Sequence, residues 1–263
     1  RERRSKSTYL SVFFTIDSTR SDLNRYMDLV ERVATEGHMD AVTLADSFGV
    51  CTPQGIAMVV KQLKARFKQP IEIHCHEDFG LGVANTIAAL SNGASVAHVT
   101  VSATGERAGN VPLEDTVMAL RVLYGIETGV KTEKFYELSK LVQKLAGFAL
   151  PPNRPIVGDS LYNIESGIVA MFHRRCKTVE PLEYIPFLPE VAGRPGVDIA
   201  LGKGSGLANI EEHLERRGRQ ATPEQTNEIL ARVKQTSIEK KALLTGAEFD
   251  AILKAVIGVT APA

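Results

Sequence analysis

Residues 70–80 read Pro70-Ile71-Glu72-Ile73-His74-Cys75-His76-Glu77-Asp78-Phe79-Gly80. The apolar run from Pro70 to Ile73 carries His74-Cys75-His76 to its end, and Glu77, Asp78 and Gly80 follow as a polar turn. A strand sends successive side chains to opposite sides, so the two imidazoles leave it on the same side. Two readings stand at this point. The histidines converge on one cation, or they are hydrogen-bonded, inert members of a half-buried strand.

Working outward, three further apolar runs resemble this one: Leu10 to Ile16, Ala41 to Ala45 and Val96 to Val101. With Ile71 to Cys75 their starts lie 31, 30 and 25 residues apart, and helical patterns fill the gaps. Leu23, Tyr26, Met27, Val30 and Val33 follow the 3.6-residue period after a cap at Ser18 or Ser21. A second helix is expected from Thr52-Pro53, with Ile56, Val59, Val60 and Leu63 on one face. A third runs from Val83 to Ser91 and stops at Asn92-Gly93. A fourth runs from Pro112 to Tyr124-Gly125. Alternation of strand and helix at this spacing predicts βα units and a parallel α/β sheet, with nearly continuous apolar strands buried on both faces. A doubly wound sheet and a (βα)8 barrel are the two candidates, and both place chemistry at the C-terminal ends of the strands.

All four strand ends are polar. They carry Asp17-Ser18-Thr19-Arg20, Asp46-Ser47-Phe48-Gly49, His74 to Asp78, and Ser102 to Asn110. Strand-to-helix loops are polar in any such fold, but two His, three Asp and two Arg gathered at one end point to a site. The second half differs. Lys131 to Leu150 reads as one amphipathic helix, and Pro151-Pro152-Asn153-Arg154-Pro155 is a stiff connector. The expected division is therefore 1–150 and 151–263. Irregular Gly- and Pro-rich pieces from Ile156 to Gly206 precede helices at Asn209–Gly218, after Thr222-Pro223-Glu224, and from Thr245-Gly246.

The 263 residues carry 31 basic and 31 acidic side chains, so neither nucleic acid nor an anionic membrane is indicated as partner. Three scattered cysteines, with no CxxC pair, exclude a disulfide framework and make the cytoplasm the expected compartment. No apolar stretch reaches the ~20 residues of a membrane span. The chain begins with Arg, so processing or an upstream start is expected.

His74-Cys75-His76-Glu77-Asp78-Phe79-Gly80-Leu81, Ala84-Asn85-Thr86, His98-Val99-Thr100-Val101 and Gly105-Glu106-Arg107-Ala108-Gly109-Asn110 together resemble the DRE-TIM metallolyase superfamily. Asp17 to Asp22 and Ala45 to Pro53 fit the same pattern in order. Within the superfamily the chain is similar to the 2-isopropylmalate and homocitrate synthases. That resemblance implies a (βα)8 TIM barrel of which these are strands five to eight, followed by a small, mostly helical subdomain. It implies a divalent metal (Mg, Mn or Zn) on His74, His76 and Asn110, and a Claisen-type condensation of acetyl-CoA or another acyl-CoA with a 2-oxo acid. It also implies a homodimer.

Arg107, Glu106, Glu165 and Tyr162 are the expected catalytic residues; the alternative for Arg107 is an ion pair with Glu106 or Asp78. Asp46, Thr15, Thr100 and Arg20 are the expected substrate contacts, with Asp46 alternatively orienting a histidine or capping the helix at Pro53. The chain departs from the family in three ways. No Arg-Asp-Gly motif precedes residue 11, so a fragment of a longer protein is expected; the alternatives are a partner chain supplying the first half-barrel, or an open sheet with another role. Val169 and Gly204 also stand where the synthases carry histidines, with His173, expected at the surface, one helical turn beyond. A lyase or aldolase of the same superfamily is the competing activity.

Overall fold

Val12–Thr15 (β1), Ala41–Asp46 (β2), Ile71–Cys75 (β3) and Val96–His98 (β4) form one parallel sheet in the order β1-β2-β3-β4 in a computed structural model that describes residues 10–258. The connecting helices are Leu23–Glu36 (α1), Pro53–Arg66 (α2) and Gly82–Ser91 (α3). Each strand pairs with its neighbour in sequence, and no strand order reverses. A doubly wound sheet needs such a reversal, so the barrel type of winding is the one adopted.

The helices share one face of the sheet. Tyr26, Met27 and Val30 of α1, Ile56, Val60 and Leu63 of α2 and Ala89 of α3 pack in one core with Val42, Leu44, Ile71, Ile73 and Cys75. The expectation that both strand faces are buried holds for β2, whose six residues are all buried, and is corrected for the other three strands. β3 alternates fully buried Ile71, Ile73 and Cys75 with half-buried Glu72 and His74, because the second face receives no helix from these units. Phe14 and Val12 of β1 lie exposed on that open face.

Local chemistry sets the boundaries. Thr52 accepts the Gly55 N–H and Pro53 opens α2. α1 is capped by Asp22, which accepts the Arg25 N–H, and not by Ser18 or Ser21. The Ser18 hydroxyl is engaged by both backbone groups of Ala45, and Ser21 donates to the Ser18 carbonyl. β4 is shorter than its apolar run, because Thr100 leaves the ladder to exchange backbone hydrogen bonds with Val111 and Leu113. Leu113–Met118 (α4) continues into a π-helical turn, Ala119–Leu123, and Phe135–Ala146 (α5) ends on left-handed Gly147.

The chain parts into two compact units between Leu150 and Pro151. In the second, Asn163–Ile164 (β5) pairs in parallel with Asp198–Ile199 (β6). Gly167–Cys176 (α6) falls inside the stretch expected to be irregular. Leu207–Arg216 (α7), Pro223–Lys240 (α8) and Gly246–Ile257 (α9) surround Ile210, Ile229, Val233 and Phe249, and Thr222 and Thr245 close capping boxes on α8 and α9. No described helix is long and apolar enough to cross a membrane.

Candidate metal centre

The two histidines of β3 project onto the open face together. Their Nε2 atoms stand 3.4 Å apart, and the Asn110 side-chain nitrogen lies 3.1 Å from His74 Nε2 and 3.3 Å from His76 Nε2. Asn110 reaches them because its loop returns to the end of β3: the Glu77 N–H donates to the Gly109 carbonyl, and Asn110 bridges His76 in antiparallel fashion. Gly105 gives the carboxamide its room, since a Cβ there would lie 2.0 Å from Asn110 Oδ1.

The spacing suits a cation. Donors about 2.1 Å from one ion, at tetrahedral or octahedral angles, lie about 3.0–3.4 Å from each other. A half-turn of the Asn110 carboxamide exchanges Nδ2 for Oδ1, the atom a hard cation takes. His76 Nδ1 is buried without a hydrogen-bond partner among the described residues. Burial, then the charges of His76 and His98, lower His74 to about 4, which keeps its ring neutral. Among the described residues no three His, Cys, Asp or Glu side chains come together for a metal; the third side chain beside the two histidines is the Asn110 amide.

Beneath the histidines lies a polar layer. His98, opposite His74 in register, pairs with Glu72 at 2.9 Å, and Glu72 also accepts the Thr43 hydroxyl at 2.8 Å. The Phe14 ring lies 5.2 Å from His74 and 6.0 Å from His98. Sequence reasoning assigned no role to Glu72, His98 or Phe14. The two-residue period from His74 marks Glu72 as sharing its face, which was the available signal.

At the rim, Arg107 forms a two-pronged pair with Asp78 at 2.8 and 2.9 Å and donates to the Ser47 carbonyl at 2.7 Å. The ion-pair alternative is the observed one, with Asp78 and not Glu106 as the partner. Arg20 makes the same kind of pair with Asp17, and both guanidinium groups lie over the Phe48 ring, at 3.8 Å for Arg20 and 5.2 Å for Arg107. The hydrogen bonds from these arginines hold Asp17 and Asp78 below the usual carboxylate range. Glu106 is exposed on the same turn.

Several expected residues lie elsewhere. Asp46 is fully buried; its backbone carbonyl accepts the His76 N–H at 3.2 Å, but its carboxylate bonds neither imidazole. Its carboxylate accepts from Thr19 Oγ1, the Val50 and Cys51 N–H groups and Asn85, which ties the β2–α2 turn to α3. Thr15 faces α1, where it meets the Tyr26 hydroxyl and donates to the Thr43 carbonyl, because Phe14 takes the open face and the next residue must take the other. The Thr100 hydroxyl is buried without a partner among the described residues.

In the second unit, Glu165 accepts the Gly204 N–H at 2.7 Å, which engages its carboxylate in a loop. Tyr162 donates to the Phe187 carbonyl, and burial pushes its phenol up to about 12. His173 is buried against Tyr184 and is not a surface residue: it lies on the face of α6 that meets α7, 3.8 Å from Glu212.

Residues 2–142 match the HMGL-like family. A protein named as an (R)-citramalate synthase in Archaeoglobus fulgidus is 43% identical over 244 residues, 92% of this chain and 48% of that protein. One named as a 2-isopropylmalate synthase in the same organism is 39% identical over 247 residues, 94% of this chain and 48% of its own length. The chain thus spans about half the length of the curated relatives it matches. Among solved structures, a Bacillus subtilis HMG-CoA lyase aligns with a TM-score of 0.50 and 26% identity over 57% of this chain and 53% of the lyase chain. With the matched region covering the whole βα sheet and the His74–His76–Asn110 cluster, the chain belongs to the HMGL-like family.

Proposed function

We propose that this chain carries strands five to eight of a divalent-metal-dependent (βα)8 barrel that condenses an acyl-CoA, acetyl-CoA foremost, with a 2-oxo acid. The observation that carries the reading is the convergence of His74 Nε2, His76 Nε2 and the Asn110 carboxamide within 3.4 Å of one another at the C-terminal end of a parallel sheet. These three side chains would hold the metal, leaving further positions to substrate and to residues outside this chain. When bound, such an ion supplies Lewis acidity to a ketone oxygen and offsets the charge that develops there on attack.

The chain's own residues frame that position. The Glu72–His98 pair and Phe14 line the face below it and limit what reaches it from that side. Arg107, locked to Asp78 and to the Ser47 carbonyl, ties the metal loop to the turns after β2 and β3 and so fixes the rim. Glu106 lies exposed at the same rim.

Two proteins of one organism, named for different products, align almost equally well. What they share is the joining of an acyl-CoA to a 2-oxo acid, and this supports the reaction class. The likeness to a lyase supports a second reading, carbon–carbon cleavage on the same residues. The test is thiol release from acetyl-CoA by the intact protein against a panel of 2-oxo acids, with Mg, Mn or Zn. Release that depends on one oxo acid and on metal, and is lost in His74→Ala, is expected. Cleavage of a hydroxyacyl-CoA without any oxo acid favours the lyase. Turnover by His74→Ala with unchanged metal content would remove these histidines from the mechanism.

A further inference from the structure

The loop that delivers Asn110 is held in an unfavourable backbone shape by a carboxylate that touches nothing in the metal centre. Ser102 and Ala103 are consecutive non-glycine residues in the left-handed region, at φ 58° and 59°, and Arg107 follows at 57°. L-residues adopt this shape at a cost, and two in succession need an outside hold. Glu114, in the first turn of α4, supplies one. It is fully buried. Both its oxygens accept the Ser102 N–H at 3.0 Å, and one accepts the Ser102 hydroxyl at 3.2 Å. That hydroxyl also meets Ser139 Oγ at 2.7 Å, which fastens the turn to α5.

The left-handed turn aims the Ala103 carbonyl at the Asn110 N–H, 3.3 Å away. The fit is tight: Gly109 takes φ 98°, and a Cβ there would lie 1.9 Å from the Ala103 oxygen. A continuous path therefore runs from Glu114 through Ser102 and the Ala103 carbonyl to Asn110, and from its carboxamide to His74 and His76.

We propose that Glu114 is a positioning residue for the metal centre: it holds the 102–103 turn in its left-handed form and thereby fixes the Asn110 carboxamide against the two histidines. The proposal rests on the metal reading only for its consequence in binding. The placement of Asn110 has a metal-free readout.

The experiment compares the intact protein with Glu114→Gln, Asn110→Ala and the double variant. Amide exchange at Asn110 is followed without metal, Mn titration gives affinity, and melting is measured in parallel. Glu114→Gln sets an NH2 group against the Ser102 N–H, and Glu114→Asp, a shorter carboxyl side chain, serves if the amide variant does not fold. The expected results are faster exchange at Asn110 without metal and an affinity for Mn lower by about tenfold or more. Adding Glu114→Gln to Asn110→Ala should cost no further affinity, because Glu114 acts through Asn110. Unchanged exchange at Asn110, or full additivity in the double variant, overturns the proposal. Faster exchange in a protein that binds no Mn through His74 overturns the metal reading and leaves the positioning role standing.

Discussion

Gly105→Ala isolates the Asn110 carboxamide without touching a ligand. Gly105 has no left-handed φ, so alanine suits its backbone and the substitution acts through space alone. The new methyl would lie 2.0 Å from Asn110 Oδ1, 2.9 Å from its Cγ and 3.0 Å from its backbone nitrogen. A carbon and an oxygen settle at about 3.3 Å, so the carboxamide must retreat by roughly 1.3 Å. It now sits 3.1 and 3.3 Å from the two imidazole nitrogens, and a shift of that size breaks the spacing with which it would share an ion with them. Displacing a support of a metal ligand lowers affinity by about 10- to 100-fold, and displacing the ligand itself costs at least as much. The overpacking itself should destabilise the fold by about 1–3 kcal/mol. Calorimetric Mn titration and thermal melting of the full-length protein separate the two effects. Gly246→Ala is the control, because a Cβ there meets only Arg217 Nη2 at 3.7 Å. Wild-type Mn affinity in Gly105→Ala would refute the placement of Asn110 in the metal centre.

Two predictions concern the second unit. Burial holds His173 and His213 below the ordinary value of 6.5, so folding favours their neutral rings and the unfolded chain takes up protons first as pH falls. Burial alone would raise Glu212, but hydrogen bonds and charge from Lys177 and Arg216 outweigh it and set the carboxyl low. Stability should therefore decline as pH drops through 6.5, and again below 4.5 as the Glu212 contribution is lost; a melting temperature that stays flat from pH 7 to pH 4 contradicts this. Ile210→Ala opens a fully buried site among Leu214, Ile229, Val233 and Phe249 and should cost about 2–5 kcal/mol in urea unfolding. A loss below 1 kcal/mol would mean that the surrounding helices collapse into the space.

The βα units were legible because each strand and helix buries one regular stripe, and the capping threonines Thr52 and Thr222 sit at the turn between patterns. The histidine pair was legible for the same reason, through the two-residue period of β3. What escaped reading depends on contacts that carry no period. α6 opens on Gly167 and includes β-branched Ile168 and Val169, so its weak local preference is settled by packing of Ala170 with Ile164 and Ile199. The burial of His173 is decided by α7, a segment distant in sequence. Asp46 was weighed as an orienter of the histidines, but the nearby N–H groups of Val50 and Cys51 claim its oxygens first. The left-handed turn at Ser102 and Ala103 has no glycine to announce it, and the carboxylate that holds it lies a dozen residues away.

The sequential strand order also bears on when, during folding, the proposed metal site is assembled. Partners in register lie 29 residues apart for β1 with β2, for example Val12 and Ala41, and 24 apart for β3 with β4, as in His74 and His98. Loop-closure entropy changes by only about 0.6 kcal/mol for each doubling of loop length, so every added strand closes a loop of nearly equal cost and the sheet can grow by accretion at one edge. The two histidines are in place once β3 has joined. Asn110 arrives only after β4 has paired and the chain has turned back onto His76. On the proposed reading, a nascent sheet of three strands would offer an ion two donors and little hold, and capture of the ion would mark completion of the fourth unit.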